Sequence, residues 1–233
     1  MSFLTKLIYP VRCPVCRGLL ENDGTRIHES CRDRLKYVSS PRCFKCGRQV
    51  ESDDIGVCFE CQSKSHRYDY GFPVFEYNDS ARRAMLDYKK NGRKSNGEFF
   101  AHEAAERIGA LLKGYAPQVL IPVPIHKSRL NERGFNQSAV LAEIIGRSLG
   151  IPIDEEFLVK TRKTAQQKSL SGKERNKSLS GAYECMGERN YERVCLVDDI
   201  YTTGNTLDEC AGVLKKNGVR QVGFVAMCAG RIF

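Results

Sequence analysis

Four pairs of metal-ligand side chains, Cys13/Cys16, His28/Cys31, Cys43/Cys46 and Cys58/Cys61, begin fifteen residues apart and share the spacing [Cys/His]-x-x-Cys. A fixed period of this kind marks an internal repeat. One such turn brings two ligands to a single ion, and two turns close a tetrahedral zinc site with no open coordination position, which is a structural site. Sequential pairing predicts Cys13, Cys16, His28 and Cys31 around one ion and Cys43, Cys46, Cys58 and Cys61 around another. The 11 residues between paired turns suit a short hairpin; interleaved pairing stays open. A polar segment this short has little core of its own, and zinc can contribute roughly 10–16 kcal/mol of apparent binding energy to folding. Chelation is therefore expected to unfold it. Redox Cys-x-x-Cys motifs come singly on a βαβ scaffold, so four in series argue against that chemistry. Spacing alone does not separate zinc from an iron–sulfur cluster. Nine Lys and Arg residues lie between Arg12 and Arg48, and they read either as solubilising charge or as a nucleic-acid face.

The chain has 233 residues, which allows a second, larger unit behind the repeat. No apolar run approaches the roughly 18 residues that a membrane helix needs. The segment Met1–Pro10 is apolar but short and interrupted by Lys6, with no small-residue cleavage site, so the expectation is a cytoplasmic protein. A net charge of +9 favours polyanionic partners. The polar, unpatterned stretch from Gln62 to Asp69 places the boundary between a unit at 1–66 and a unit at 70–233.

In the second unit, strands are expected at Tyr70–Tyr77, Val119–Val123, Val194–Val197 and Gln221–Cys228, and helices at Ser80–Tyr88, Glu98–Lys113, Gln137–Leu149 and Thr206–Lys216. Gly114 and Gly150 read as helix stops. Alternation of strands and helices implies an α/β fold with a mostly parallel sheet flanked by helices, and such sheets place ligands beyond the carboxyl ends of their strands.

The segment Val194–Leu207 carries an apolar strand, the acid pair Asp198-Asp199, a Thr/Gly turn and a helix start. An acid pair before a turn is by itself more often a cap than a site. Here the amides and hydroxyls of Thr202, Thr203, Gly204, Asn205 and Thr206 can surround a phosphate at the positive end of the helix dipole. Asp198 and Asp199 can accept from ribose hydroxyls or help hold Mg2+. Lys127, Arg129 and Arg133 follow the second strand; alone they read as a solvated basic loop, but beside a phosphate site they could neutralise pyrophosphate. Lys160–Lys177 is strongly basic with little apolar patterning and reads either as a disordered loop or as a lid that closes over a polyphosphate.

The acid pair with its Thr-Thr-Gly-x-Thr turn resembles the signature of the type I phosphoribosyltransferases. With the Cys-x-x-Cys series, Tyr77 with Leu86 and Lys89, Pro122–His126, Arg133–Gln137 and Thr164-x-x-Gln167-x-x-Leu170 with Arg175, the whole chain resembles the ComF family, in which a zinc ribbon, often double, precedes a phosphoribosyltransferase domain. His28 stands where that family usually has cysteine, a change zinc tolerates. The resemblance implies phosphoribosyl pyrophosphate with Mg2+ as ligand, Asp198, Asp199 and Arg133 in catalysis, and Gln167 and Arg175 among the substrate-binding residues. A base-recognising hood would come from Phe72 to Lys90. It further implies a part in natural transformation and use of imported DNA, with competence helicase, DNA-processing proteins and single-stranded DNA as candidate partners. The competing readings are a non-enzymatic sensor of a nucleotide and a plain DNA-binding adaptor of the competence machinery. The acceptor is not written in the residues.

Overall fold

The computed structural model describes residues 11–21, 24–90, 93–162 and 181–230. Gln167, Arg175 and most of the basic stretch lie outside them. Six strands are defined: β1 (Tyr70–Glu76), β2 (Val119–Pro122), β3 (Leu158–Lys160), β4 (Tyr183–Cys185), β5 (Arg193–Tyr201) and β6 (Gln221–Ala229). The helices are α1 (Glu29–Arg32), α2 (Phe59–Ser63), α3 (Asp79–Lys90), α4 (Lys94–Tyr115), α5 (Lys127–Arg133), α6 (Gln137–Leu149) and α7 (Asn205–Lys216).

Four strands form a wholly parallel sheet in the order β1-β6-β5-β2. Their apolar runs are buried on both faces, as parallel strands covered by helices require. One apolar cluster joins the sheet to α3, α4 and α6 through Met85, Phe99, Phe100, Ile108 and Leu141. The other joins it to α7 through Leu207, Cys210 and Leu214.

Both edges of the sheet are occupied. On β2, Leu120 donates to Pro152 (2.8 Å) and Asp154 donates back to Leu120 (3.0 Å). On β1, the chain between the two cysteine clusters runs antiparallel: Val38 donates to Val74 (2.9 Å), Glu76 to Lys36 (2.8 Å), and Tyr37 stacks on Phe75 at 4.6 Å. Exposed edge groups are thereby satisfied by the amino-terminal unit itself. From that strand-like crossing the two clusters part. Cys13, Val15, Ile27 and Cys31 enter the α3/α4 cluster, whereas Cys43, Cys46, Val50 and Cys58 enter the α7 cluster.

The structure groups Cys13, Cys16, His28 and Cys31, and separately Cys43, Cys46, Cys58 and Cys61, each set with ligand atoms within 4.8 Å of one another. This is the sequential pairing. Tetrahedral zinc–thiolate geometry asks for sulfur–sulfur separations of about 3.8 Å, and Cys46 Sγ and Cys58 Sγ are 3.7 Å apart. The amides of Lys45 (3.4 Å), Cys46 (3.5 Å) and Cys58 (3.3 Å) all point at Cys43 Sγ, as they would toward a thiolate. In the first cluster His28 Nε2 lies 2.9 Å from the Leu19 carbonyl and Nδ1 3.2 Å from Cys16 Sγ. Donation from Nε2 to that carbonyl leaves Nδ1 with its lone pair for the ion. Both donor sets fit structural zinc.

Local differences from the sequence reading have physical causes. The acid pair lies inside β5 rather than after it, because β5 pairs with β6 as far as Tyr201 opposite Ala229. α4 runs through Gly114 and ends at Ala116 in the left-handed region (φ 51°), whose amide caps Leu112 and Lys113, just before Pro117. The basic residues after β2 are helical, since His126 caps the amide of Ser128 at 3.1 Å. Phe72, where the expected hood begins, faces the core at 2% exposure.

The second cluster touches β1 backbone to backbone: a Cβ on Gly71 would lie 2.4 Å from the Cys46 carbonyl oxygen. Gly71→Ala should therefore lower stability by about 2–3 kcal/mol, whereas Gly114→Ala, in an exposed helix position with open space around it, should raise it by about 0.5–1 kcal/mol. Urea denaturation followed by circular dichroism decides both. Metal analysis should find two zinc ions per chain, and Cys58→Ser should remove one.

Candidate functional site

The carboxyl ends of the parallel strands converge on the acid pair of β5. Asp198 and Asp199 alternate across the sheet, so they meet different elements. Asp199 is 8% exposed and receives Lys89 Nζ at 2.9 Å. Burial works against the charge on Lys89, but the Asp199 carboxylate outweighs it and holds the ammonium protonated. Asp198 accepts from its neighbour's amide at 2.9 Å and from Ser138 Oγ at 3.3 Å. Burial, and then repulsion from the Asp199 carboxylate, push its carboxyl up to about 7, with Lys89 pulling the other way. One acid is thus charge-compensated and its neighbour is not.

Basic groups ring the pair. Arg133, at the end of α5, donates from Nη1 to Gln137 Oε1 at 2.9 Å. Burial first and the Arg129 guanidinium second lower its affinity for a proton, while Asp199 raises it. Lys160, at the end of β3, donates to Tyr183 OH at 3.1 Å, and burial lowers its pKa despite the nearby Asp198. Arg129 is half-buried in the same field. Lys127 is exposed at the start of α5, and no described interaction ties it to the acids. Among the predicted residues, then, Asp198, Asp199, Arg129 and Arg133 come together. Lys89, one of the marks of the ComF resemblance, and Lys160, which opens the basic stretch, join them, though neither was given a place at the acids. Their signals in the sequence are faint: Lys89 is one of several cations on α3, and Lys160 begins a run of similar ones.

Three residues beyond Asp198, β5 ends at Tyr201 and the chain turns into α7. Gly204 takes φ 73° at the cap position, over the Tyr201 ring, where a Cβ would lie 2.9 Å from Tyr201 Cε2. Glycine therefore answers both to the left-handed turn and to close packing. α5 and α6 are capped by His126 and Asn136 side chains, but Gly204 supplies no such acceptor to α7. The positive end of the α7 dipole opens on this turn and favours an anion there. Thr202 is exposed, and Thr203, Asn205 and Thr206 are half-buried around the same turn.

Tyr201 is held from three sides. Phe224 stacks on it at 5.1 Å and 7°, Tyr68 OH and Tyr201 OH are 2.7 Å apart, and the Arg48 guanidinium lies 5.2 Å from its ring centre. Arg48 is 3% exposed and also reaches Cys46 Sγ (3.4 Å), Cys58 Sγ (3.8 Å), Glu60 Oε2 (2.5 Å) and the Gly230 carbonyl (3.5 Å). The second cysteine cluster is thus two side chains away from the glycine turn.

No helix among the described residues is long and apolar enough to cross a membrane. A family model described as a double zinc ribbon domain matches residues 4–62, and one described as a phosphoribosyl transferase domain matches residues 136–232. Competence protein F of Haemophilus influenzae is 28% identical over 222 residues, covering 91% of this chain and 93% of that protein. DNA utilization protein YhgH of Escherichia coli O157:H7 is 36% identical over 229 residues, covering 95% and 98%. Competence protein ComFC of Bacillus subtilis is 27% identical over 234 residues, covering 91% of each. The paired cysteine clusters, the parallel sheet with its acid pair, and likeness along nearly the full length to proteins of competence and DNA utilization place this chain in the ComF family, with a double zinc ribbon and a phosphoribosyltransferase domain.

Proposed function

We propose that the units at 1–66 and 70–233 make one phosphoribosyltransferase that binds phosphoribosyl pyrophosphate with Mg2+ at the end of β5. The observation that carries this reading is the Asp198–Asp199 pair near the end of β5, three residues before the Gly204 turn that opens α7. A carboxyl raised to about 7 is stabilised as an anion when a cation arrives, and a hard carboxylate donor set suits Mg2+. Mg2+, when bound with the substrate, supplies charge neutralisation for the departing pyrophosphate.

Thr202, Thr203, Gly204, Asn205 and Thr206 would hold the 5-phosphate through amides and hydroxyls. Asp198 and Asp199 would accept from the ribose hydroxyls. Arg129, Arg133 and Lys160, with Lys127, Gln167 and Arg175 in support, would face the pyrophosphate. As the anomeric C–O bond breaks, negative charge grows on the leaving group, and fixed cations stabilise that charge more in the transition state than in the ground state. In the cell we place the protein in the cytoplasm, serving the use of imported single-stranded DNA beside the competence helicase and DNA-processing proteins, in keeping with the names of its relatives. The engagement of Asp199 by Lys89 favours a second reading, in which the pocket senses the ribose phosphate without turnover.

Calorimetric titration of magnesium phosphoribosyl pyrophosphate into the zinc-loaded protein should show binding that is lost when Asp198→Asn and Asp199→Asn are combined and weakened at least tenfold by Arg133→Ala. Release of pyrophosphate in the presence of an acceptor supports the enzyme, and binding without release supports the sensor. No binding by the wild type rejects both.

Asp198 also sets a pH dependence. Its proton is held to about 7 in the folded chain but only to about 3.9 when unfolded, so the native state binds more protons between those values. Stability from this group is present below about pH 4 and lost as pH rises toward 7. Asp198→Asn should therefore match the wild type near pH 4 and exceed it by on the order of 1–3 kcal/mol at pH 8, read as midpoints of urea unfolding.

A further inference from the structure

Among the described residues, one buried side-chain polar atom has no hydrogen-bond partner, and it is Nε2 of Gln137. Such an atom forgoes the bonds it would make in water, so its retention asks for a reason. Gln137 opens α6 and is 1% exposed. Its backbone is held firmly, since its carbonyl accepts from Tyr88 OH at 2.8 Å. Asn136 before it caps the Ser138 amide at 3.1 Å and donates to the Val123 carbonyl at 3.2 Å, and Ser138 after it reaches Asp198. The side chain has one described partner, Arg133 Nη1, which donates to Oε1 at 2.9 Å. A guanidinium carries donors only, so the oxygen end of the amide must face it and the nitrogen end must turn away. The orphaned donor is a consequence of the bond to Arg133.

Two other side chains could occupy this position without an orphan. Methionine would fill the volume with no hydrogen-bond donor. Glutamate would accept the same bond in a stronger, charge-assisted form, but it would also cancel the charge of Arg133. Among the described residues no carboxylate stands within ion-pair distance of that guanidinium. Asp199 and Glu132 act on it from further away, and Asp199 is already engaged by Lys89 at 2.9 Å. Glutamine therefore orients Arg133 through a neutral acceptor and leaves its charge, and most of its N–H groups, to an incoming anion.

We propose that Gln137 is the positioning residue of Arg133, holding the guanidinium toward pyrophosphate without neutralising it; this rests on the reading above, in which Arg133 faces the pyrophosphate of the substrate. Being buried, Gln137 acts through Arg133 and not on the substrate.

The probe is inorganic pyrophosphate with Mg2+, titrated calorimetrically into the zinc-loaded full chain, with magnesium phosphoribosyl pyrophosphate in parallel. Gln137→Met removes the acceptor and the orphan together, whereas Gln137→Glu keeps the acceptor and adds a charge. Gln137→Met should weaken pyrophosphate binding roughly tenfold, the worth of one hydrogen bond to a charged group, while its midpoint of urea unfolding stays at or above that of the wild type. Gln137→Glu should weaken binding further although it preserves the bond. In an Arg133→Ala background, Gln137→Met should bring no additional loss, because its effect passes through that side chain. Wild-type affinity in either single variant, or the same loss repeated without Arg133, overturns the proposal. Failure of both variants to fold, judged by circular dichroism and zinc content, overturns it too, since a residue that only aims a side chain is dispensable for folding. So does a wild type that does not bind pyrophosphate. Binding of pyrophosphate without binding of phosphoribosyl pyrophosphate overturns the donor reading alone and leaves the role of Gln137 standing.

Discussion

The buried guanidinium of Arg48 joins the parts of this molecule that its sequence keeps apart. It lies against two thiolate ligands of the second zinc site, an acid on α2, a carbonyl at the end of β6, and the ring beneath the glycine turn. An isolated charge at this depth would cost several kcal/mol. Burial does oppose its protonation, but Cys46 and Glu60 hold the charge in place. The network spans the cysteine cluster and the end of the sheet at Gly230. The second cluster therefore reaches beyond the ribbon: through Arg48 and Tyr68 it supports Tyr201, and through Tyr201 the turn that opens α7.

A comparable tie runs on the other side of the sheet. Arg17, in the left-handed region at φ 65° within the first cluster, grips Asp87 of α3 with two bonds of 2.8 and 3.0 Å. Asp87 is 4% exposed and lies two residues before Lys89, whose ammonium meets Asp199. The first ribbon thus sets the helix that delivers the cation to one acid, while the second sets the turn that follows the other. Between them the Lys36–Val38 crossing pairs with β1. The two ribbons are parts of the site's scaffold as well as candidates for outside partners.

Much of this could be read from the chain. The zinc ligands follow from a fifteen-residue repeat, because local spacing alone brings a Cys-x-x-Cys turn to an ion, while the choice of sequential over interleaved grouping needed the structure. The parallel sheet follows from buried apolar runs alternating with helical stretches, and the site's acids and glycine turn lie in one continuous segment. What could not be read depends on contacts across long separations. Lys89 and Asp199 are 110 positions apart along the chain, and Arg48 and Tyr201 still further; neither contact has a local pattern, since a lone cation on a helix or in a ribbon is ordinarily solvated. Gly114 illustrates a local signal overruled. The helix had a buried face still to cover at Leu112 and a Pro at 117 to stop it, so the left-handed position fell on Ala116.

The asymmetry of the acid pair is where stability and function part. Two adjacent carboxylates in a half-dry strand end repel one another, and only one has a cation of its own. A chain selected for stability alone would place an amide at Asp198, which keeps the hydrogen bonds from Ser138 and the Asp199 amide without the buried charge. Retaining the acid leaves a site that is destabilised until a cation arrives, which is the condition for binding one tightly. The surrounding Arg133 and Lys160 do not relieve that condition, since burial and repulsion from the Arg129 guanidinium weaken their own hold on protons. Acids short of a cation and cations short of an anion stand within one edge of one sheet, and a magnesium-bound polyphosphate supplies both missing charges at once.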